Sequence, residues 1–217
     1  MNYVKELVSK GSSKKPFLFS YRRCPYAMRA RMAMISAPIE FDIYEISLKD
    51  KPKEMLAISP KGTVPVLVYE ESVIDESLDI MNWAYSISDK ANHYVSLTKD
   101  EKRKSSDLIL TNDNDFKSHL DRYKYCSNNK ALTPDILYKK CLFFMYTLED
   151  NLLNNSFLIT NKISFADIAI FPFVRQFANV NLESFMKGDF KKTIDWYLRM
   201  QKEKIFFRAM EKPKIIS

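Results

Sequence analysis

Cys24 is the residue of this sequence best placed to do chemistry. It follows an aromatic segment, residues 16–21, and stands directly before Pro25. Proline is favoured at the first position of a helix, because its missing N–H had no intrahelical partner there. The order of residues therefore predicts a buried strand over 16–21, a turn at Arg22 and Arg23, and a helix with Cys24 as its N-cap.

A thiol at a helix N-terminus is expected to be reactive. The thiolate is the nucleophile, and the positive end of the helix dipole, together with Arg22 and Arg23, favours the charged form. The alternative is a cysteine that packs as a small apolar residue. The order of strand, turn, cysteine, proline and helix favours the reactive interpretation. Because the fourth residue of the Cys-Pro-Tyr-Ala segment is Ala27, a second thiol must come from solution.

The composition points to one large domain or two small ones. The chain has 217 residues, of which 46% are hydrophobic and 28% charged. Cys24, Cys126 and Cys141 are odd in number and widely separated, which predicts a reducing compartment rather than a disulfide framework. No segment approaches the roughly 18 apolar residues of a spanning helix, so a cytoplasmic protein outside the membrane is expected. With only His93 and His119 as histidines, no metal site is expected.

The net charge of +7 raises the question of a nucleic-acid partner. The densest basic clusters, 99–104 and 187–192, are interrupted by acids or lie at predicted helix ends, and no nucleic-acid motif accompanies them. A solvated surface with no nucleic-acid partner is therefore expected. The chain has only three glycines, which excludes long glycine-rich phosphate loops and leaves Gly62 as the glycine expected to adopt an unusual conformation.

Strand and helix signals alternate through the first half of the chain. They predict a helix over 26–35 that Pro38 stops, a strand over 41–46 and a short helix over 52–58. A turn-rich stretch around Gly62 precedes a strand over 66–69, and a tight reversal returns residues 72–74 antiparallel to it. Asp75, Glu76 and Ser77 are capping residues for the next helix. This half is predicted to be α/β.

Helical signals dominate the second half, after a polar linker. Predicted helices cover 99–125, in one or two pieces, and 133–151, where Thr133 is the N-cap. Ser164 and Asp167 form a capping-box-like pair at the start of a helix over 165–179, which Pro172 is expected to kink. A helix over 190–202 and a short segment around Phe206 close the chain.

Together these segments resemble the glutathione transferases, and within them the omega-like class that uses a cysteine. The stretches that carry the resemblance are SYRRCPYAMRAR, SLKDKPKEM, SPKGTVPVLV, VIDES and SFADIAIFPFVRQF, which lie in both halves of the chain. The resemblance implies a thioredoxin-like domain with a four-stranded mixed sheet over residues 1–88, of which 1–15 are a leader. A linker over 89–98 and an all-helical domain over 99–217 would follow.

The resemblance also assigns roles around the thiol. Cys24 matches the cysteine that forms a mixed disulfide with glutathione, the co-substrate, and Tyr26 stands where the family more often has phenylalanine. Val64 matches a residue followed by a cis proline, here Pro65, whose backbone pairs with that of glutathione like an added strand.

Further roles concern the two ends of glutathione and the second substrate. Glu76 and Ser77 match the pair that holds the γ-glutamyl end, a carboxylate for its ammonium and a helix N-terminus for its carboxylate. Lys51 matches a lysine that meets the glycyl carboxylate. Tyr21 and Arg175 would lie at the second-substrate cleft. No metal is implied.

The expected activity is glutathione-dependent thiol transfer, with dehydroascorbate-type reduction as a related possibility. Conjugation of glutathione to electrophiles is an alternative, in which Tyr21 would activate the glutathione thiol. A non-catalytic adaptor resembling stringent starvation protein A is a second alternative, since fold does not determine function. The resemblance implies a homodimer and leaves the second substrate undefined.

Overall fold

The computed structural model describes residues 15–90, 93–94, 96–126 and 133–212. The chain divides into two compact units, the first made of residues 1–91 and 204–217 and the second of residues 92–203. Within the described residues, no helix is long and apolar enough to cross a membrane.

The first unit is built on a four-stranded mixed sheet, as predicted. Its strands are β1 (Phe17–Ser20), β2 (Asp42–Glu45), β3 (Val66–Tyr69) and β4 (Ser72–Ile74), in the order β2-β1-β3-β4. Strand β1 pairs parallel with β2 and antiparallel with β3, and β3 pairs antiparallel with β4. The parallel pair requires a crossover connection, which helix α1 (Pro25–Ser36) provides. This is the thioredoxin-like arrangement.

Helix α1 is the most deeply buried helix of this unit. Every residue of α1 except Tyr26 is buried, including Arg29 and Arg31. The unit also contains α2 (Lys53–Ile58) and α3 (Ser77–Ile87), and α3 packs on α1. A helix that is covered on several sides has no solvated stripe, so its two arginines must find hydrogen-bond partners inside the protein.

The last helix within the described residues, α10 (Lys204–Met210), packs on α1 and belongs to the first unit. The sequence-based organisation placed this segment with the helical half. The carbonyl oxygen of Ala209 accepts a hydrogen bond from Nε of Arg31 at 2.8 Å, so α10 is tied to the helix that carries the candidate site. The amphipathic pattern of a short helix indicates that one face is buried, but not which unit covers that face.

The described part of the second unit is helical. Its helices are α4 (Lys99–Thr111), α5 (Lys117–Lys124), α6 (Pro134–Leu152), α7 (Phe165–Ala178), α8 (Leu182–Met186) and α9 (Lys191–Gln201). A π-helical turn, Asn112–Phe116, joins α4 to α5, so the predicted helix over 99–125 is two helices joined without a break. The short α8, which Asn181 caps, was not predicted.

The capping box at α7 is present as predicted. Asp167 is fully buried and accepts hydrogen bonds from the backbone N–H and the hydroxyl of Ser164, at 2.8 and 2.6 Å. It also accepts from the N–H of Leu158 at 2.9 Å and from the indole of Trp196 at 2.8 Å. Burial raises the pKa of Asp167, and these hydrogen bonds oppose the shift. One carboxyl group thus joins α7, α9 and the loop before α7.

Candidate active site

Cys24 is the N-cap of α1, as the sequence predicts. Its backbone is extended, with φ −72° and ψ 125°, and Pro25 opens the helix. The N–H of Cys24 donates to the carbonyl of Tyr21 at 2.9 Å, which closes the turn after β1. The thiol is half-buried and does not cap the helix, so it stands at the positive end of the helix dipole.

The thiol of Cys24 is directed at the backbone of Val64. Its Sγ donates to the Val64 carbonyl oxygen at 3.6 Å. The Val64–Pro65 peptide bond is cis, as the resemblance implies. Cys24 packs against the buried cluster to which Val64 and Phe19 belong. The fold therefore brings together Cys24, which the resemblance assigned to the mixed disulfide, and Val64, which the resemblance assigned to the backbone of glutathione.

Gly62 and Lys51 lie next to this loop. Gly62 has a φ of +62°, in the left-handed region that favours glycine, as expected. A Cβ at Gly62 would lie 3.6 Å from Nζ of Lys51 and 3.1 Å from Cδ2 of Leu56. Lys51, a half-buried residue, thus places its ammonium group beside the segment that leads into Val64.

Glu76 precedes α3, but its side chain does not cap that helix. Its carboxylate instead forms an ion pair with Lys61, which also contacts Asp75 at 3.2 Å. The hydroxyl of Ser59 donates to Asp75 at 2.8 Å, and this bond, with that from Lys61, lowers the pKa of Asp75. Glu76 is therefore the N-cap residue of α3 by position, within the predicted capping segment 75–77, but its carboxylate binds Lys61 and not the helix backbone.

Ser77, the first residue of α3, is buried, and its hydroxyl accepts a hydrogen bond from Nη1 of Arg29 at 3.4 Å. The guanidinium carbon of Arg29 also lies 5.7 Å from the centre of the Tyr26 ring. Arg29 therefore links two residues of the predicted glutathione set, although the sequence assigned it no role. The sequence signal for Arg29 was its charge, one of two in a mostly apolar helix, because a buried guanidinium needs hydrogen-bond partners.

The two residues assigned to the second-substrate cleft lie in different units. Tyr21 follows β1 in the first unit and packs, half-buried, against the same cluster as Cys24. Arg175 lies in α7 of the second unit, where burial lowers its pKa. The cleft itself stays a prediction.

A groove of about 470 Å³ in the first unit is separate from the thiol. It is lined in part by Pro16, Pro38, Tyr69 and Ile87, and no residue of the predicted glutathione set lines it. Pro16 precedes β1 whereas Cys24 follows it, so the groove lies at the opposite end of that strand. In the described ranges, no group of three histidine, cysteine or acidic side chains is arranged to hold a metal ion.

The fold is that of a two-domain protein with a thioredoxin-like first unit and a helical second unit. The family model for the glutathione S-transferase N-terminal domain matches residues 18–91, and the model for the C-terminal domain matches residues 119–203. Both halves of the chain are therefore matched in the expected order. The protein belongs to the glutathione S-transferase superfamily.

Individual relatives are similar at low identity. The probable glutathione S-transferase MSR-1 of Nicotiana plumbaginifolia is 24% identical over 202 residues, which cover 89% of this chain and 88% of that protein. Glutathione S-transferase omega-2 of Mus musculus is 36% identical over 69 residues, 29% of this chain and 28% of that protein. A glutathione transferase from Pseudomonas putida, solved with one glutathione disulfide per subunit, has a TM-score of 0.78 at 14% identity and covers 93% of each chain.

Proposed function

We propose that this protein is a glutathione-dependent thiol transferase of the omega-like, cysteine-using kind. The observation that carries the proposal is the position of the Cys24 thiol, at the N-terminus of α1 and 3.6 Å from the carbonyl oxygen of Val64. A glutathione molecule whose backbone pairs with Val64 would place its own sulfur beside this thiol.

The remaining contacts would hold the two ends of glutathione. Glu76 would bind the γ-glutamyl ammonium of glutathione. In this structure the Glu76 carboxylate already binds an ammonium group, that of Lys61. Ser77 and the N-terminus of α3 would bind the γ-glutamyl carboxylate. Lys51, beside Gly62, would meet the glycyl carboxylate, and Tyr26 would pack against the ligand.

The proposed reaction is two successive thiol–disulfide exchanges. The Cys24 thiolate attacks the glutathione sulfur of a substrate mixed disulfide, that S–S bond breaks, and the substrate thiolate leaves and takes a proton. A Cys24–glutathione disulfide has then formed. The thiolate of a second glutathione attacks its glutathione sulfur, which releases glutathione disulfide and returns the Cys24 thiolate. Overall, one mixed disulfide and one free glutathione become the substrate thiol and glutathione disulfide. The substrate sulfur is reduced, the sulfur of the second glutathione is oxidised, and the proton that this glutathione loses balances the one that the substrate thiolate takes up.

The proposal includes a cytoplasmic homodimer. All three cysteines lie in the described part of the chain and none forms a disulfide, which fits a reducing compartment. Closed twofold symmetry is the commonest oligomeric arrangement. Light scattering at micromolar concentration should give about twice the 25.5 kDa mass of one chain. A mass equal to one chain would contradict the dimer.

Conjugation of glutathione to electrophiles is the second candidate. It draws support from Tyr21, which packs with Cys24 against one buried cluster. Conjugation needs a group that stabilises the glutathione thiolate, whereas thiol transfer needs a thiolate of the protein.

Two variants separate these candidates. Under thiol transfer, Cys24→Ser abolishes turnover of a glutathionylated peptide and Tyr21→Phe changes it little, while Cys126→Ser serves as the matched control. Conjugation predicts the reverse for a model electrophile, because a serine hydroxyl can still donate to a glutathione thiolate.

Oxidised glutathione should add one glutathione mass at Cys24. If calorimetry detects no binding of glutathione to the wild-type protein, the alternative of a non-catalytic adaptor with this fold would be favoured.

A further inference from the structure

The side chain of Arg31 connects three parts of the first unit. Arg31 lies on α1 and is 2% exposed. Its Nη1 donates to the hydroxyl of Ser20 and, at 3.4 Å, to the carbonyl of Tyr21. Nη2 donates to the carbonyl of Arg22 at 2.8 Å, and Nε donates to the carbonyl of Ala209 at 2.8 Å. One guanidinium thus binds four oxygen atoms.

Three of the four acceptors belong to consecutive residues: Ser20 at the end of β1, and Tyr21 and Arg22 in the turn that leads to Cys24. The turn is also closed by the bond from the Cys24 N–H to Tyr21, and the carboxylate of Glu45 accepts from the N–H of Arg22 at 2.7 Å. These hydrogen bonds can form together only when the carbonyl groups of Tyr21 and Arg22 have the orientation seen in this turn. A planar guanidinium presents donors in a fixed fork, whereas lysine offers a single ammonium and cannot reproduce that set.

The fourth acceptor brings α10 into the same network. Phe206 and Ala209 are the buried residues of α10, and the Ala209 carbonyl is oriented toward Arg31. Phe207, the neighbouring aromatic residue, is 58% exposed. The packing of α10 therefore holds Nε of the Arg31 guanidinium, while the Nη atoms of the same group bind the segment before Cys24.

Charge adds to this geometry. Burial lowers the pKa of Arg31 to about 10, against the opposing influence of Glu45 and Cys24, so the side chain remains protonated at neutral pH. In general, a nearby positive charge favours the thiolate form of a cysteine.

We infer that Arg31 is a positioning residue for Cys24 and that α10 takes part in the positioning. By binding Ser20, Tyr21 and Arg22 on one side and Ala209 on the other, its guanidinium holds the thiol at the N-terminus of α1. The catalytic consequence rests on the proposed function. The reactivity of the Cys24 thiol toward a simple alkylating agent does not, because no glutathione takes part.

The test compares alkylation of Cys24 and Cys126 by iodoacetamide in the same molecule at neutral pH, with peptide mapping. The thiolate displaces iodide, so the rate reports the availability of that thiolate. In Arg31→Met and in Arg31→Lys, alkylation of Cys24 should slow about tenfold while that of Cys126 is unchanged. If Cys24 in Arg31→Lys were alkylated at the wild-type rate, a positive charge alone would be sufficient for its reactivity. That result would overturn the inference that the guanidinium positions the thiol.

Further variants separate positioning from stability. Met32→Ala, on the same helix, removes a buried side chain, and it should lower the unfolding midpoint without changing the ratio of the two alkylation rates. Phe206→Ala should slow Cys24 alkylation, whereas Phe207→Ala should not. An equal effect of the two phenylalanine variants would remove α10 from the inference.

The same readout remains usable if the Arg31 variants do not fold. Ser20→Ala removes one acceptor and should slow Cys24 alkylation less than Arg31→Met does. Unchanged Cys24 alkylation in Ser20→Ala and Phe206→Ala would overturn the inference and leave thiol transfer intact. Failure of thiol transfer, with slowed alkylation in the variants, would remove the proposed function and leave the positioning role.

Discussion

The thiol of Cys24 and the carbonyl oxygen of Val64 lie 3.6 Å apart, although 40 residues separate them in the sequence. Cys24 follows β1, and Val64 precedes β3. These strands are antiparallel neighbours in which Phe19 pairs with Val66. Antiparallel pairing places the end of one strand beside the start of the other, so the contact follows from the order of the sheet. A ligand that pairs with Val64 therefore meets the thiol.

Glu76→Gln should weaken glutathione binding about tenfold, or about 1.4 kcal/mol. The amide keeps the shape of the side chain but loses the charge that would bind the γ-glutamyl ammonium. Isothermal titration calorimetry measures the change. Glu71→Gln, at an exposed residue in the turn between β3 and β4, is the matched control and should bind as the wild type does. Equal affinities of the two variants would exclude Glu76 from the site.

Gly62→Ala should destabilise the first unit by about 1–2 kcal/mol, because the left-handed backbone is unfavourable for alanine. The added methyl group would also lie 3.1 Å from Cδ2 of Leu56, which must shift to make room. The segment beside Lys51 should move with it, so glutathione affinity should fall with stability. Urea unfolding and calorimetry measure the two effects. Gly62→Asn is the control, since asparagine tolerates this conformation better and should recover part of the stability. No difference between the two variants would contradict the backbone explanation.

Asp167→Asn should lower the free energy of unfolding by about 2–4 kcal/mol. The carboxylate accepts from Leu158, Ser164 and Trp196, and an amide replaces one acceptor oxygen by a donor that faces other donors. Urea denaturation at a constant m-value measures the loss. Asp195→Asn, at the exposed neighbour of Trp196, should change stability by less than about 0.5 kcal/mol.

Cys141 should stay unlabelled by a thiol reagent at pH 8 until the protein unfolds. Burial raises the pKa of Cys141 from an ordinary value of 9.0 to about 12, so only about one molecule in ten thousand carries the thiolate at that pH. Labelling with Ellman's reagent in the presence and absence of urea measures this. Labelling of Cys141 in the folded protein would contradict the burial.

The same shift in the pKa of Cys141 affects stability at high pH. The folded pKa lies above the unfolded value, so the folded state holds the proton more tightly. The stabilisation is complete below about pH 9 and is lost as the pH rises toward 12. Between these values the free energy of unfolding should fall more steeply for the wild type than for Cys141→Ala.

Much of the site depends on residues that are close in the chain, and the sequence predicted those parts. Cys24 occupies the N-cap position of α1 because Pro25, the next residue, is favoured at the first position of a helix. The capping of α6 by Thr133 and of α7 by Ser164 has the same local origin. The cis bond at Val64–Pro65 came from the family resemblance, since local pattern does not distinguish it from an ordinary trans bond.

Tertiary structure alone decided which charges meet. The carboxylate of Glu76, the N-cap residue of α3, pairs with Lys61. Arg31 binds the turn before Cys24, and α10 packs on α1 instead of joining the second unit. Hydrophobic periodicity shows that a face is buried, but it contains no information about the partner that covers it. A long side chain with several donors can reach many acceptors, so its choice among them is made only when distant segments have packed together.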